Sequence, residues 1–170
     1  MDVLISPELL LTQYISRLIE YPGALQVLDF ADGRAQMVAT EAESGGLLVG
    51  QKLYTLRHHM PANSDARVAA IYRQGQLVIP DGDTIIEEND MVFFLAAKRY
   101  IPDVMKELRP MDSPIRRVIL AGGGNIGKNL AHRLERDHHV KIIERDPARA
   151  EAIAEDLTKT IILVGDCADA

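Results

Sequence analysis

The chain has 170 residues, 47% of them hydrophobic and 26% charged, with a net charge of −6 and one cysteine. Such a length buries one medium core or two small ones, and the composition is that of a soluble globular protein, which excludes fibrous and disordered classes. A pI near 5.3 argues against nucleic acid as a partner, since that binding is driven by Lys and Arg displacing counterions from phosphates.

The longest strongly apolar stretch, MVFFLAA from Met91, is far short of the roughly 20 residues that span a bilayer, so no direct membrane insertion is expected. Cys167 alone permits no internal disulfide and no cysteine-rich zinc site, and no signal-peptide pattern opens the chain; a reducing cytoplasm fits best.

In chain order, VLIS at residues 3–6 predicts a short strand. Ser6 as cap and Pro7 in the first turn then open a helix through Tyr21. Leu11, Ile15 and Leu18 form one apolar stripe, which Leu9, Leu10 and Tyr14 widen, so this helix is expected to bury more than one face. Tyr21-Pro22-Gly23 ends it, and LQVLDF, a turn at Ala31-Asp32-Gly33, and RAQMVATEA predict a hairpin. LYTLRHHM reads as a helix, VAAIYRQ and QLVIP as strands flanking Gly75, and PDGDTIIEEND as a short strand between two turns. MVFFLAA is expected to be a buried strand, and Tyr100 to Leu108 a helix. RPMDSP has the composition of a linker, which puts a domain boundary near Pro110.

Beyond it the grammar changes to RVILA strand, NIGKNLAHRLER helix, VKIIE strand, PARAEAIAEDL helix and TIILVG strand. This βαβαβ order predicts the first half of a parallel, doubly wound sheet after an α+β domain.

GGGNIG follows RVILA directly and sets Gly122, Gly124 and Gly127 in the G-x-G-x-x-G frame, with Asn125 opening the next helix. The first glycine permits a tight turn, the second lets the backbone approach a pyrophosphate, and the third lets helix and strand pack closely. The unpaired amides at the N-terminus of the helix that Asn125 opens, with its positive dipole end, then hold the negative phosphates. Glu144 ends the second strand about 20 residues after Gly122, the place of the ribose-binding acid in the Rossmann fingerprint. A carboxylate there repels a 2′-phosphate, which favours NAD(H) or an adenine nucleotide over NADP(H), with Arg145 as a counterweight. Asp166 and Cys167 follow the third strand, on the side where the adenine lies in this fold.

Other polar clusters read as structure. The adjacent pairs His58/His59 and His138/His139 diverge on a helix or strand, and His132 is expected to face solvent. Arg116 and Arg117 are strand-edge charges, and Cys167 is expected to be a small buried residue. Turn chemistry accounts for most of Asp81, Asp83, Glu87, Glu88 and Asp90, so no metal site is expected.

GGGNIG, IERD and GDCAD, in that order, together with RLIEYPGALQV, RVAAIYR, GDTIIEENDMVFFLA and VMKEL, resemble the central part of the Trk-type potassium-uptake regulatory subunits, the TrkA family. The resemblance covers essentially the whole chain. It implies that residues 1–23 are the last strand and crossover helix of a first RCK N-type domain. Residues 24–108 would then be an RCK C-type domain, 109–114 a linker and 115–170 the start of a second, Rossmann-like N-type domain.

The resemblance further implies a cytoplasmic ring that self-associates through RCK domains. That ring sits on the inner face of the membrane under a potassium channel or transporter and gates it when NAD(H), ATP or ADP binds. Such a module shifts conformational populations and performs no catalysis. The rival reading is an NAD-dependent oxidoreductase, since fold does not fix function; the domain ahead of the fingerprint, however, supplies no Ser/Tyr/Lys or His/Asp constellation. A third reading is an assembly module alone.

Overall fold

The computed structural model describes residues 6–110 and 113–168. The chain divides into two compact units, one running from Tyr21 to Ser113, the other combining the segment that ends at Glu20 with the one that begins at Pro114. The strand expected at residues 3–6 lies, except for Ser6, outside the described residues, as do Met111 and Asp112 of the linker.

In the unit from Tyr21, β1 (Ala24–Phe30) and β2 (Ala35–Glu41) form the expected hairpin. Its turn holds Ala31 and Asp32 at φ of 50° and 56°, a conformation that aspartate tolerates better than most side chains. With β3 (Arg67–Arg73), β4 (Gln76–Val78) and β5 (Met91–Ala97) they make one antiparallel sheet, ordered β1-β2-β5-β3-β4. The core follows from register: Val27 faces Val38, Val38 faces Phe94, and Val68 faces Phe94 from the other side. Val27, Val38 and Phe94 are fully buried. Over them lies α3 (Ile101–Leu108), whose Ile101, Val104, Met105 and Leu108 recur at helical spacing and are all buried.

Three expectations change here. The run MVFFLAA is buried on one face only: Val92, Phe94 and Ala96 point into the core while Met91 and Leu95 are exposed, as alternation in a one-sided antiparallel sheet requires. The segment around Ile85 and Ile86 forms single bridges to Lys52 and Val49, not a strand, because two turn signals leave too few residues for a ladder. LYTLRHHM makes only a 3-10 turn (Leu53–Thr55) running into one turn of helix, α2 (Leu56–His59).

The acidic run is organised by an arginine. Asp81 does form a turn, accepting from the Asp83 amide at 3.0 Å and the Thr84 hydroxyl at 2.8 Å. Asp90, however, is buried and clamps Arg73 at both oxygens, 2.8 Å each, while the same guanidinium reaches Glu87 and the Ile85 carbonyl. His59 is likewise engaged, its Nδ1 standing 2.7 Å from the buried Glu107. Among the described residues no cluster of His, Cys, Asp or Glu is placed to hold a metal ion, and no helix is long and apolar enough to cross a membrane.

In the second unit, β6 (Arg117–Ala121), β7 (His139–Glu144) and β8 (Ile161–Val164) form a parallel sheet in that order. The helices α4 (Asn125–Leu134) and α5 (Pro147–Asp156) make the crossovers. Leu130, Ala131 and Leu134 of α4 pack with Val140, Ile142, Ile153 and Leu157. Asp146 caps α5, accepting from the amides of Ala148 and Arg149, with Pro147 at the first helical position.

Glu135 is buried at the foot of the sheet, where burial alone would push its carboxyl up. Amides of Thr158, Lys159 and Thr160 and the Thr160 hydroxyl outweigh that and hold it below the usual carboxylate range. This latch fixes the loop into β8.

The opening helix α1 (Pro7–Glu20) belongs to this unit. Ser6 caps it as expected, its Oγ accepting from the Leu9 amide at 3.4 Å. Ile15 and Ile19 pack against the cluster that includes Leu130 and Leu134. Within this chain Leu9, Leu10 and Leu11 are exposed, and the buried residue of the helix is Thr12, whose hydroxyl donates to the Glu8 carbonyl at 2.8 Å.

Candidate functional site

In a parallel sheet covered by crossover helices, ligands settle outside the carboxyl ends of the strands. Register places Ala121, Glu144 and Val164 at that rim. The chain leaves β6 through Gly122, whose φ of +97° is a conformation that favours glycine, and its amide donates to the Ile143 carbonyl at 2.9 Å. The turn is thereby tied to the end of β7 before α4 begins.

The glycines divide their work by what surrounds them. A Cβ at Gly127 would overlap the Gly122 carbonyl oxygen, so helix and turn meet only because position 127 has no side chain. A Cβ at Gly123 would meet the Cδ1 end of Ile153 and approach the Glu144 carboxylate. Gly124 differs, since nothing lies near its Cβ position. It is the N-cap of α4 and supplies no side chain to the first-turn amides, which therefore lack a partner from the cap. A closed turn, an uncapped helix N-terminus and open space in front of it form a cradle for an anionic group.

Glu144 is 3% exposed at the end of β7. One carboxylate oxygen accepts from the Gly123 amide at 2.7 Å and the other from the Asp146 amide at 3.0 Å. The Asp146 amide, then that of Gly123, holds its carboxyl below the usual range, with Arg149 at 3.7 Å contributing in the same direction. The residue thus braces the glycine turn, and each oxygen retains a further lone pair for a hydroxyl donor. Sequence reasoning missed this bracing role; the spacing between Gly123 and Glu144 carries no signal of it beyond the fingerprint itself.

Asp166 is exposed beyond β8 and accepts from the Ala168 amide at 3.0 Å. Cys167 is exposed rather than buried, lying beyond the end of β8 at Val164, with its Sγ donating to the Ile143 carbonyl at 3.8 Å. Ile126 is partly buried. Asn125 is exposed, and its Nδ2 donates to Glu8 Oε1 of α1 at 3.3 Å, a neighbour that the sequence alone does not reveal. His132 is exposed, 3.8 Å from Glu135, and takes no part in the rim.

Residues 37–109 match the TrkA-C domain family, and residues 118–170 match the TrkA-N domain family. Over 168 residues, 99% of this chain, the sequence is 54% identical to the Trk system potassium uptake protein TrkA of Vibrio alginolyticus. Over 164 residues, 96% of this chain, it is 55% identical to the protein of the same name from Halomonas elongata. The alignments take in 36% of each of those proteins, so the chain spans about a third of the length of the curated relatives it matches. A solved structure of the GsuK channel bound to NAD has a related fold, with a TM-score of 0.50 at 16% identity, covering 96% of this chain and 28% of that one.

Proposed function

The chain belongs to the TrkA family by its TrkA-C and TrkA-N domains, and from that premise we propose that it is part of a regulatory subunit which senses a nucleotide and gates a membrane potassium-uptake system. The observation that carries the reading is the glycine turn: closed at Gly122 and Gly127, open in front of Gly124, and continued by an uncapped helix. In this reading the turn from Gly122 through Gly127 holds a pyrophosphate at the amides of Gly124, Asn125 and Ile126, the Gly122 and Gly123 amides being used to brace the turn, while Glu144 accepts from the ribose and Asp166 lies on the adenine side.

The ligand is NAD(H), with ATP or ADP as alternatives. The GsuK structure was obtained with NAD, which makes NADH the first compound to test. Residues 1–23 close a first RCK N-type domain, 24–108 form the RCK C-type domain, and 115–170 begin the second N-type domain after a linker at 109–114. The subunit self-associates through these domains and sits on the cytoplasmic face of the membrane through its transporter partner.

No residue is assigned a catalytic role. Binding favours one arrangement of the assembly over another, by as much as the ligand's affinities for the two differ.

Thermal melting with millimolar NADH, NAD, ATP, ADP and NADPH tests the ligand class, because a compound that binds only the folded state raises the midpoint. NADH or ADP is expected to raise it, and NADPH to raise it least. A larger rise with NADPH would contradict the assignment of Glu144 to the ribose.

A further inference from the structure

We propose that Glu8 is an internal stand-in for phosphate at the glycine turn, and that a nucleotide must displace it, releasing the first turn of α1. The inference rests on the nucleotide reading of that turn and adds its regulation. It begins with the hydrogen bond from Asn125, the first residue of α4, to the carboxylate of Glu8 in the first turn of α1.

The two helices pack along each other, Glu8 beside the start of α4 and Ile15 and Ile19 against the cluster formed with Leu130, Ala131 and Leu134. The bond to Asn125 sets the first turn of α1 beside the first turn of α4, which brings two positive helix ends together. Neighbouring positive ends disfavour each other and attract an anion. Gly124 provides no side-chain cap, and the Glu8 carboxylate reaches the first residue of α4 through the Asn125 side chain.

Other charged groups near the turn are engaged with partners of their own. Glu144 is buried and its oxygens are engaged by the Gly123 and Asp146 amides. Lys128, one turn into α4, is paired with Asp156 at 2.5 Å, and Arg149 faces Glu144 at 3.7 Å. A pyrophosphate entering the cradle thus meets the Glu8 carboxylate with both of these cations committed elsewhere. Among the described residues the exposed Glu8 carboxylate is held by one long hydrogen bond, 3.3 Å, so it can swing away while the apolar half of α1 stays packed. Ligand occupancy is then linked to the N-terminal end of α1.

The test compares NADH affinity of the chain with that of Glu8→Gln and Glu155→Gln, by titration in buffer free of divalent cations, which would bridge two anions. Glu155 is exposed on α5, so its replacement changes net charge equally without touching the turn. Glutamine at position 8 still accepts from Asn125, so the fold is kept.

Removing an exposed like charge should tighten NADH binding roughly fivefold for Glu8→Gln and leave it unchanged for Glu155→Gln. In the unaltered chain, NADH should speed amide exchange at residues 10–14. Equal affinity of Glu8→Gln and the unaltered chain would overturn the proposal and leave the nucleotide reading standing, as would equal tightening in both variants. Absence of binding by all three chains would overturn both.

Discussion

Gly124→Asp keeps the chain folded and removes nucleotide binding. The space at position 124 is open, and the backbone there, at φ −65° and ψ −175°, is an extended conformation that any residue adopts. Aspartate is moreover a good N-cap, worth a few tenths of a kcal/mol over glycine, so the melting midpoint should hold or rise slightly. The same carboxylate would cap the amides offered to the ligand and set a negative charge where the pyrophosphate must lie. Titration with NADH should show at least a ~100-fold loss, a cost of about 2.7 kcal/mol. A variant that binds as well as the original chain would remove the glycine turn from the account. An unfolded one would show that Gly124 is needed for packing, contrary to the open space around it.

Gly127→Ala has the second large effect, with a sign opposite to the ordinary rule. Alanine inside a helix normally gains about 1 kcal/mol over glycine. Here the new methyl would overlap the Gly122 carbonyl, a backbone atom held by the Gly122 amide bond to Ile143, and neither can move without opening the turn. A loss of about 2 kcal/mol is expected, in the range of overpacked sites. At Gly123 the obstacle is mainly the Cδ1 end of Ile153, which can rotate, so Gly123→Ala should cost less. Denaturant unfolding followed by circular dichroism reads both. Gly127→Ala as stable as the unaltered chain, or Gly123→Ala the worse of the two, would contradict the packing argument.

The fold was legible wherever one local signal dominated. RVILA-GGGNIG announced strand, turn and helix because each glycine answers a separate steric need, and Ser6-Pro7 announced the start of α1 through capping chemistry. Strength of hydrophobicity misled at MVFFLAA, where continuous apolar residues hid a one-sided strand: nothing in the run distinguishes Val92, which is buried, from Leu95, which is not. The Arg73 clamp on Asp90 was invisible because the partners come from different strands' surroundings, and turn chemistry already offered a local explanation for every acid in the run.

The candidate site was legible in kind and not in detail. The fingerprint names the glycines and an acid, but not that Glu144 spends one oxygen on Gly123 and one on Asp146, nor that α1 delivers Glu8 to Asn125 from far away in sequence. These two carboxylates differ in a way that decides their roles. Glu144 is buried, held low by amides and part of the turn; Glu8 is exposed, singly held and replaceable. Under the proposal for Glu8, such a site would couple ligand charge to the position of a helix, which is the kind of coupling that regulation requires.

The most direct test of the central claim is a calorimetric titration of NADH into the 170-residue chain. Saturable heat with one site per chain is the expected result, and it would establish that the glycine turn and the strands present here form the nucleotide site. A flat titration up to millimolar NADH, with ADP and ATP equally silent, would contradict it.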